Sequence, residues 1–266
     1  MKKLLYRGNN NLIAVISVLV FVMSMLPVWY LAGYARPSGD DYGYSALTHA
    51  DTQSLIEVLK AAIETVKNNY YGWNGDWFTT FLFSLMPEVF VPYSFWIVPY
   101  IMTGAVIAGT LVFMHEICVE LMGGSWAECL IFSSLILFAS YQYIPSTAIG
   151  MYWYVGAVHY MLPYAAGLLG IALLCKFIRR GKVIYLIIAS LCSLMVGGSS
   201  YFTSLLLFIV LFIAGILIWR KAPIRAVLLL VPLCNCIWNS VQGSREYCTR
   251  RREFWIRFFC SSIHNN

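Results

Sequence analysis

Two adjacent carboxylates, Asp40 and Asp41, stand in the segment RPSGDDYGYS, a few residues after a long apolar run. Pro37 and Gly39 break the helix ahead of them, so the pair is expected just beyond the surface of a bilayer. A carboxylate there has two chemical uses. As a general base it takes a proton from an acceptor hydroxyl within hydrogen-bond reach. As a pair, the two help to hold Mg²⁺ or Mn²⁺, which favour carboxylate oxygens and bridge phosphates. The plain alternative is a solvated turn at a helix exit. Asp76, in NGDWF, is a further acidic residue. His159, in YWYVGAVHYMLPY, is an ionisable residue at the start of an apolar segment. Such a residue is costly in lipid and marks a site by default; its alternative role is a bond to a neighbouring helix. Tyr42, Trp73, Trp77 and Trp153 offer flat faces for sugar rings, or else belong to the aromatic belt of a membrane boundary.

The elements that must position these residues are set by composition. Of 266 residues, 60% are hydrophobic and 11% charged, against about a quarter charged in soluble domains. The mean hydropathy is +0.72. Such a chain cannot cover itself with polar groups, so its solvent is lipid. The net charge of +6 then reports orientation, and no nucleic-acid partner is implied. Apolar segments are expected to span at 11–33, 95–115, 126–143, 157–178, from 183 to the sequence MVGGSSYF, and at 202–219, with a shorter seventh at 226–238. The reading is an all-α integral membrane protein of six to seven transmembrane helices. Lys2, Lys3 and Arg7 precede the first span, which places the N-terminus in the cytoplasm. Alternation then puts Lys176, Arg179, Arg180 and Lys182, and later Arg220, Lys221 and Arg225, on the same side. The first span is too long for a cleaved leader and reads as a retained anchor in the cell membrane. The cysteines include no CxxC pair and read as buried, inert thiols.

The one long polar stretch, 34–94, falls outside. Within it Ser54 and Glu57 fit a capping box, and Leu55, Leu59, Ala62, Ile63 and Val66 recur at helical spacing. This amphipathic helix is expected to lie on lipid or on the spans. Residues 77–86 are apolar but too few to span, and read as a re-entrant or interfacial helix. His115 and Glu116, at the inner end of the second span, read as a solvated face. No G-x-x-x-x-G-K, H-E-x-x-H or G-x-S-x-G motif occurs.

Together, SGDDYGYS directly after a first span, the surface helix, YYGWNGDWFTTFLFSLMP and YWYVGAVHYMLPY resemble a family of bacterial polytopic proteins that is itself similar to the GT-C membrane glycosyltransferases. The resemblance covers about residues 1–230. It implies transfer of a sugar from a polyprenyl-phosphate carrier to an envelope glycan acceptor on the outer face. It also implies that Asp40 or Asp41 is the base of an inverting reaction; Asp76, in NGDWF, is a second acidic candidate at a position where relatives often carry another residue. A carrier phosphate needs a cation, for which Arg36, Lys60, Lys67 or protonated His159 is available.

The chain divides into a polytopic domain, 1–235, and an atypical basic tail, 236–266, which carries Arg245, Arg250, Arg251, Arg252 and Arg257. Members of the resembled family run further, so the tail reads as the mark of a truncated or frame-shifted chain. Two other functions stay open: a glycolipid transporter or flippase, and an inactive remnant or scaffold. A transporter predicts broken or charged helices at mid-membrane, whereas the acids here lie outside the spans.

Overall fold

The first apolar run forms helix α1 (Lys2–Ala32) in a computed structural model that describes residues 2–49, 54–219 and the isolated positions 234, 238, 241, 242 and 245. The seventh apolar segment, 226–238, and the basic tail lie outside the described residues except at those positions. Tight turns onto Leu31 and Ala32 close α1. Gly39, at φ +51°, then turns the chain into the short α2 (Asp40–Ser45), a backbone conformation natural to glycine. Helix α3 (Leu55–Gly72) starts at the expected Ser54–Glu57 capping box. It packs on α4 (Trp77–Phe83). Helix α5 (Ile97–Met114) runs on as a wider π-helical stretch, His115–Leu121. Helix α6 (Trp126–Gln142) begins at a second capping box, Ser125 with Glu128. A π-helical turn, Ala148–Tyr152, leads into α7 (Tyr154–Arg180). Arg179 and Arg180 in its last turn favour the negative end of the helix, and left-handed Gly181 ends it. Helices α8 (Val183–Gly197) and α9 (Tyr201–Trp219) complete the described fold. No strand occurs among the described residues.

Among the described residues, three helices are long and apolar enough to cross a bilayer: Asn10–Ala32, Ile97–Leu121 and Tyr154–Arg180. The other apolar helices are shorter: Trp126–Gln142 has 17 residues and Val183–Gly197 has 15. At 1.5 Å per residue they reach about 26 and about 22 Å, against a hydrocarbon core of about 30 Å. The expectation of six to seven full spans is therefore met in part. Apolar helices stand at each of the six expected segments, and three have spanning length. The surfaces of α1 and α9 fit lipid: Leu12, Ile16, Leu19 and Met23 on α1, and Leu205, Ile209, Phe212 and Ile216 on α9, are all exposed.

Helix α7 is the axis of the bundle. A Cβ on Gly109 of α5 would come within 2.7 Å of the Ala165 carbonyl oxygen, and one on Gly170 within 3.2 Å of the Cys192 side chain on α8. Small residues thus let helices approach closely, which membrane bundles need because lipid gives apolar faces no reason to associate. Phe21 and Met25 of α1 pack with Val106, Leu137, Tyr141 and Met161 on the α5, α6 and α7 side.

The apolar stretch 77–86, expected as a re-entrant or interfacial helix, carries α4 of seven residues, about 10 Å long, which buries Thr79, Thr80 and Phe83. One local expectation changes. Glu116 is not part of a solvated face. It is fully buried, and Arg179 donates to its Oε1 from Nε at 2.9 Å and Nη2 at 2.6 Å. The π-helical stretch re-aims the side chains that follow Met114, which an ideal 3.6-residue wheel does not anticipate. Arg179 also holds Glu120, at 2.6 Å. His115 lies against Trp126, the two rings tilted by 43° with centroids 4.3 Å apart.

Candidate active site

The bundle end opposite Arg179 gathers the polar loop, the start of α7 and the end of α8. Phe78 N–H donates to the Gly198 carbonyl at 2.9 Å, and the Gly75 N–H donates to the Tyr201 hydroxyl at 3.3 Å. The Tyr154 hydroxyl donates to the Leu82 carbonyl at 2.9 Å. Gly198 is required there, because a Cβ would lie 2.5 Å from the Trp77 ring. These ties hold α4 against α7 and the end of α8, and a small cleft of about 160 Å³ opens between α2, the loop before α4, α4 itself and the start of α7.

Asp76 and His159 face each other in this cleft, with Asp76 Oδ2 at 4.0 Å from His159 Nδ1. Tyr44, Trp153 and Tyr160 contribute aromatic walls, while Asn74 and Thr80 contribute polar ones. Asn74 Nδ2 donates to Asp76 Oδ2 at 3.1 Å. Asn69 Nδ2 donates to Asn74 Oδ1 and to Thr80 Oγ1, both at 2.8 Å, so a chain of amides fixes one carboxylate oxygen. The other, Oδ1, is buried without a hydrogen-bond partner among the described residues, as is His159 Nδ1. A buried polar atom left unpaired costs stability, and such atoms in native structures point to strain, function or a bound group. Burial pushes the Asp76 carboxyl up to about 7. Burial also raises the Tyr44 hydroxyl, and the negative charges of Asp40 and Asp76 add to the shift. Gly156 lets the Trp153 ring close down: a Cβ there would lie 2.8 Å from that ring and 2.3 Å from the Ile149 carbonyl oxygen.

Asp40 and Asp41, adjacent in sequence, have different surroundings. Asp40 is exposed at the start of α2, one turn from Tyr44. Asp41 is fully buried. Its Oδ2 accepts the Ser38 N–H and its Oδ1 the Val155 N–H, each at 3.0 Å. Val155 is the second residue of α7, whose own N-cap, Trp153, has no side-chain cap. Asp41 thus caps α7 from another helix, with its charge at the positive end of that dipole. Burial raises its carboxyl, while the Ser38, Val155 and Tyr154 backbone groups pull the other way. Only one carboxylate of the pair is turned to solvent. No group of three or more His, Cys, Asp or Glu residues that could hold a metal gathers among the described residues.

The other expected site residues scatter. Arg36 donates to the carbonyls of Gly33 and Ala35 and lines a separate cavity of about 450 Å³. Trp153 lines both that cavity and the Asp76 cleft. Tyr42 and Trp73 are exposed. Trp77 packs edge-on against Phe78 and does not line the cleft. Lys60 and Lys67 lie exposed on α3. Sequence reasoning did not assign Asn69, Tyr44, Thr80 or Tyr160 to the site. The available signal was Asn69, Asn74, Asp76 and Thr80 recurring within an otherwise aromatic and apolar stretch. No family model, curated protein or solved structure matches the chain.

Proposed function

We propose that the chain is a GT-C-like glycosyltransferase, acting at the outer face of the cell membrane on a polyprenyl-phosphate sugar, with Asp76 as its base. One observation carries the reading: a buried carboxyl with one free oxygen, poised near neutral, shares a cleft with a histidine and several aromatic rings. A general base works best with a pKa near the operating pH. Asp76 would take the proton of an acceptor hydroxyl. The hydroxyl oxygen would attack the anomeric carbon, and the bond from that carbon to the carrier phosphate oxygen would break. His159 would orient the carboxyl, and Trp153 would stack on a sugar ring. Asp41, committed to backbone donors, would hold α7 and hence His159 in place. No step is routed through a metal.

The topology belongs to the same proposal. Six spans with a cytoplasmic N-terminus put the Asp76 cleft outside and the Glu116–Arg179 cluster inside, in keeping with the basic residues at 176–182. The shorter helices α6 and α8 would cross with local thinning of the bilayer.

The test uses the full chain in vesicles with a radiolabelled polyprenyl-phosphate sugar and a membrane-extract acceptor. Loss of a general base costs about 10²–10⁴-fold, so Asp76→Asn is expected to lose transfer while Asp40→Asn keeps it. Full transfer by Asp76→Asn rejects the role of Asp76. If the parent chain consumes no lipid-linked sugar, the enzyme reading fails.

A further inference from the structure

Helix α3 turns only half of its apolar surface to the protein. Val58 and Ala62 are buried, and Thr65, Val66 and Asn69 beside them are half-buried. The next strip around the helix, Leu55, Leu59, Ile63 and Ile56, is uncovered: Leu55 is 63% exposed, Ile56 66% and Ile63 49%. At 3.6 residues per turn the order around α3 is protein face, aliphatic strip, Lys60 and Lys67, then Glu57 and Glu64. Lys67 and Glu64 pair at 3.8 Å. Four neighbouring large aliphatics on a two-turn strip are a poor match for water.

We infer that this strip of α3 is seated in the phospholipid of the leaflet at the Asp76 end of the bundle, with Lys60 and Lys67 reaching the lipid phosphates. The sequence of surfaces matches an interfacial helix, with apolar side chains in the acyl boundary, lysines at headgroup level and acids towards water. Val91, Tyr93 and Trp96, just ahead of α5 at Ile97, are also exposed. Seating α3 fixes the plane of Asn69, near its end, and of the loop that follows and carries Asp76. The inference rests on the bilayer reading of the bundle and is independent of sugar transfer.

The full chain, reconstituted in phosphatidylcholine vesicles carrying a photoactivatable acyl chain, is irradiated and mapped by mass spectrometry. Adducts are expected within residues 55–63, alongside adducts on α1 as the internal standard. Leu59→Glu should cut the 55–63 adducts several-fold and leave those on α1 unchanged. Adducts on α1 with none in 55–63 overturn the inference, the result expected if a second copy covered the strip. Equal labelling of Leu59→Glu and parent also overturns it. Failure of both α1 and α3 to label means that the bilayer reading itself is wrong.

Discussion

Replacing Asp41 by alanine separates a positioning role from a chemical one. The side chain accepts two backbone N–H groups at 3.0 Å from a fully buried position, and one of them belongs to the uncapped start of α7. A hydrogen bond to a charged group contributes about 1.5–3 kcal/mol, and loss of an N-cap costs about 0.5–2 kcal/mol. The contributions overlap, since one bond is the cap. The burial cost of the carboxylate, which disappears with it, offsets part of the loss. Asp41→Ala should therefore destabilise the fold by roughly 2–4 kcal/mol. Asp41→Asn keeps one acceptor oxygen for Val155 or Ser38 and should lose about half as much. The assay is unfolding of the purified chain in mixed micelles by titration with sodium dodecyl sulfate, followed by tryptophan fluorescence. An Asp41→Ala chain as stable as the parent refutes the capping argument. If that chain were also inactive in transfer, Asp41 would be a reacting group.

Other consequences follow from the same geometry. The Asp76 carboxyl titrates near 7 when folded and near 4 when unfolded, so between those values the folded chain holds a proton that the unfolded chain has released. Stability should then fall as pH rises from about 4 to about 7 and level off above; Asp76→Asn should remove that slope, as denaturant titrations at fixed pH would show. Arg179→Met leaves the buried Glu116 unpaired and should cost roughly 2–4 kcal/mol, while adding Glu116→Leu should recover most of it; a double variant no more stable than the single contradicts the pairing. Gly109→Val drives a side chain into the Ala165 backbone and should cost about 1–3 kcal/mol, whereas Gly104→Val, with nothing within 4 Å of its Cβ position, should cost less in the same unfolding assay.

The parts of the fold that were readable share one cause. The bilayer imposes long apolar runs, so α1, α5 and α7 stand out in sequence, and local chemistry marks the Ser54–Glu57 start of α3. The same capping pattern at Ser125 and Glu128 went unread because it sits at the edge of an apolar run. What local pattern does not carry is pairing across the chain. Asp41 looks like a free acid until Val155 arrives from α7 to be capped, and Asp76, a candidate acid in the sequence, gains its partner only when α7 brings His159 to face it. Glu116 misleads for a geometric reason, because a π-helical stretch shifts the helical wheel by which exposure is judged. His159 and Asp76 are each legible as site candidates in the sequence, although their pairing is not.

The most direct test of the central claim is the pH dependence of sugar transfer by the parent chain and by Asp76→Asn in vesicles with a polyprenyl-phosphate sugar. Parent activity should rise through an apparent pKa near 7 as Asp76 ionises, and the variant should lose about 10²-fold or more together with that limb. A variant that keeps both the rate and the limb would contradict the claim.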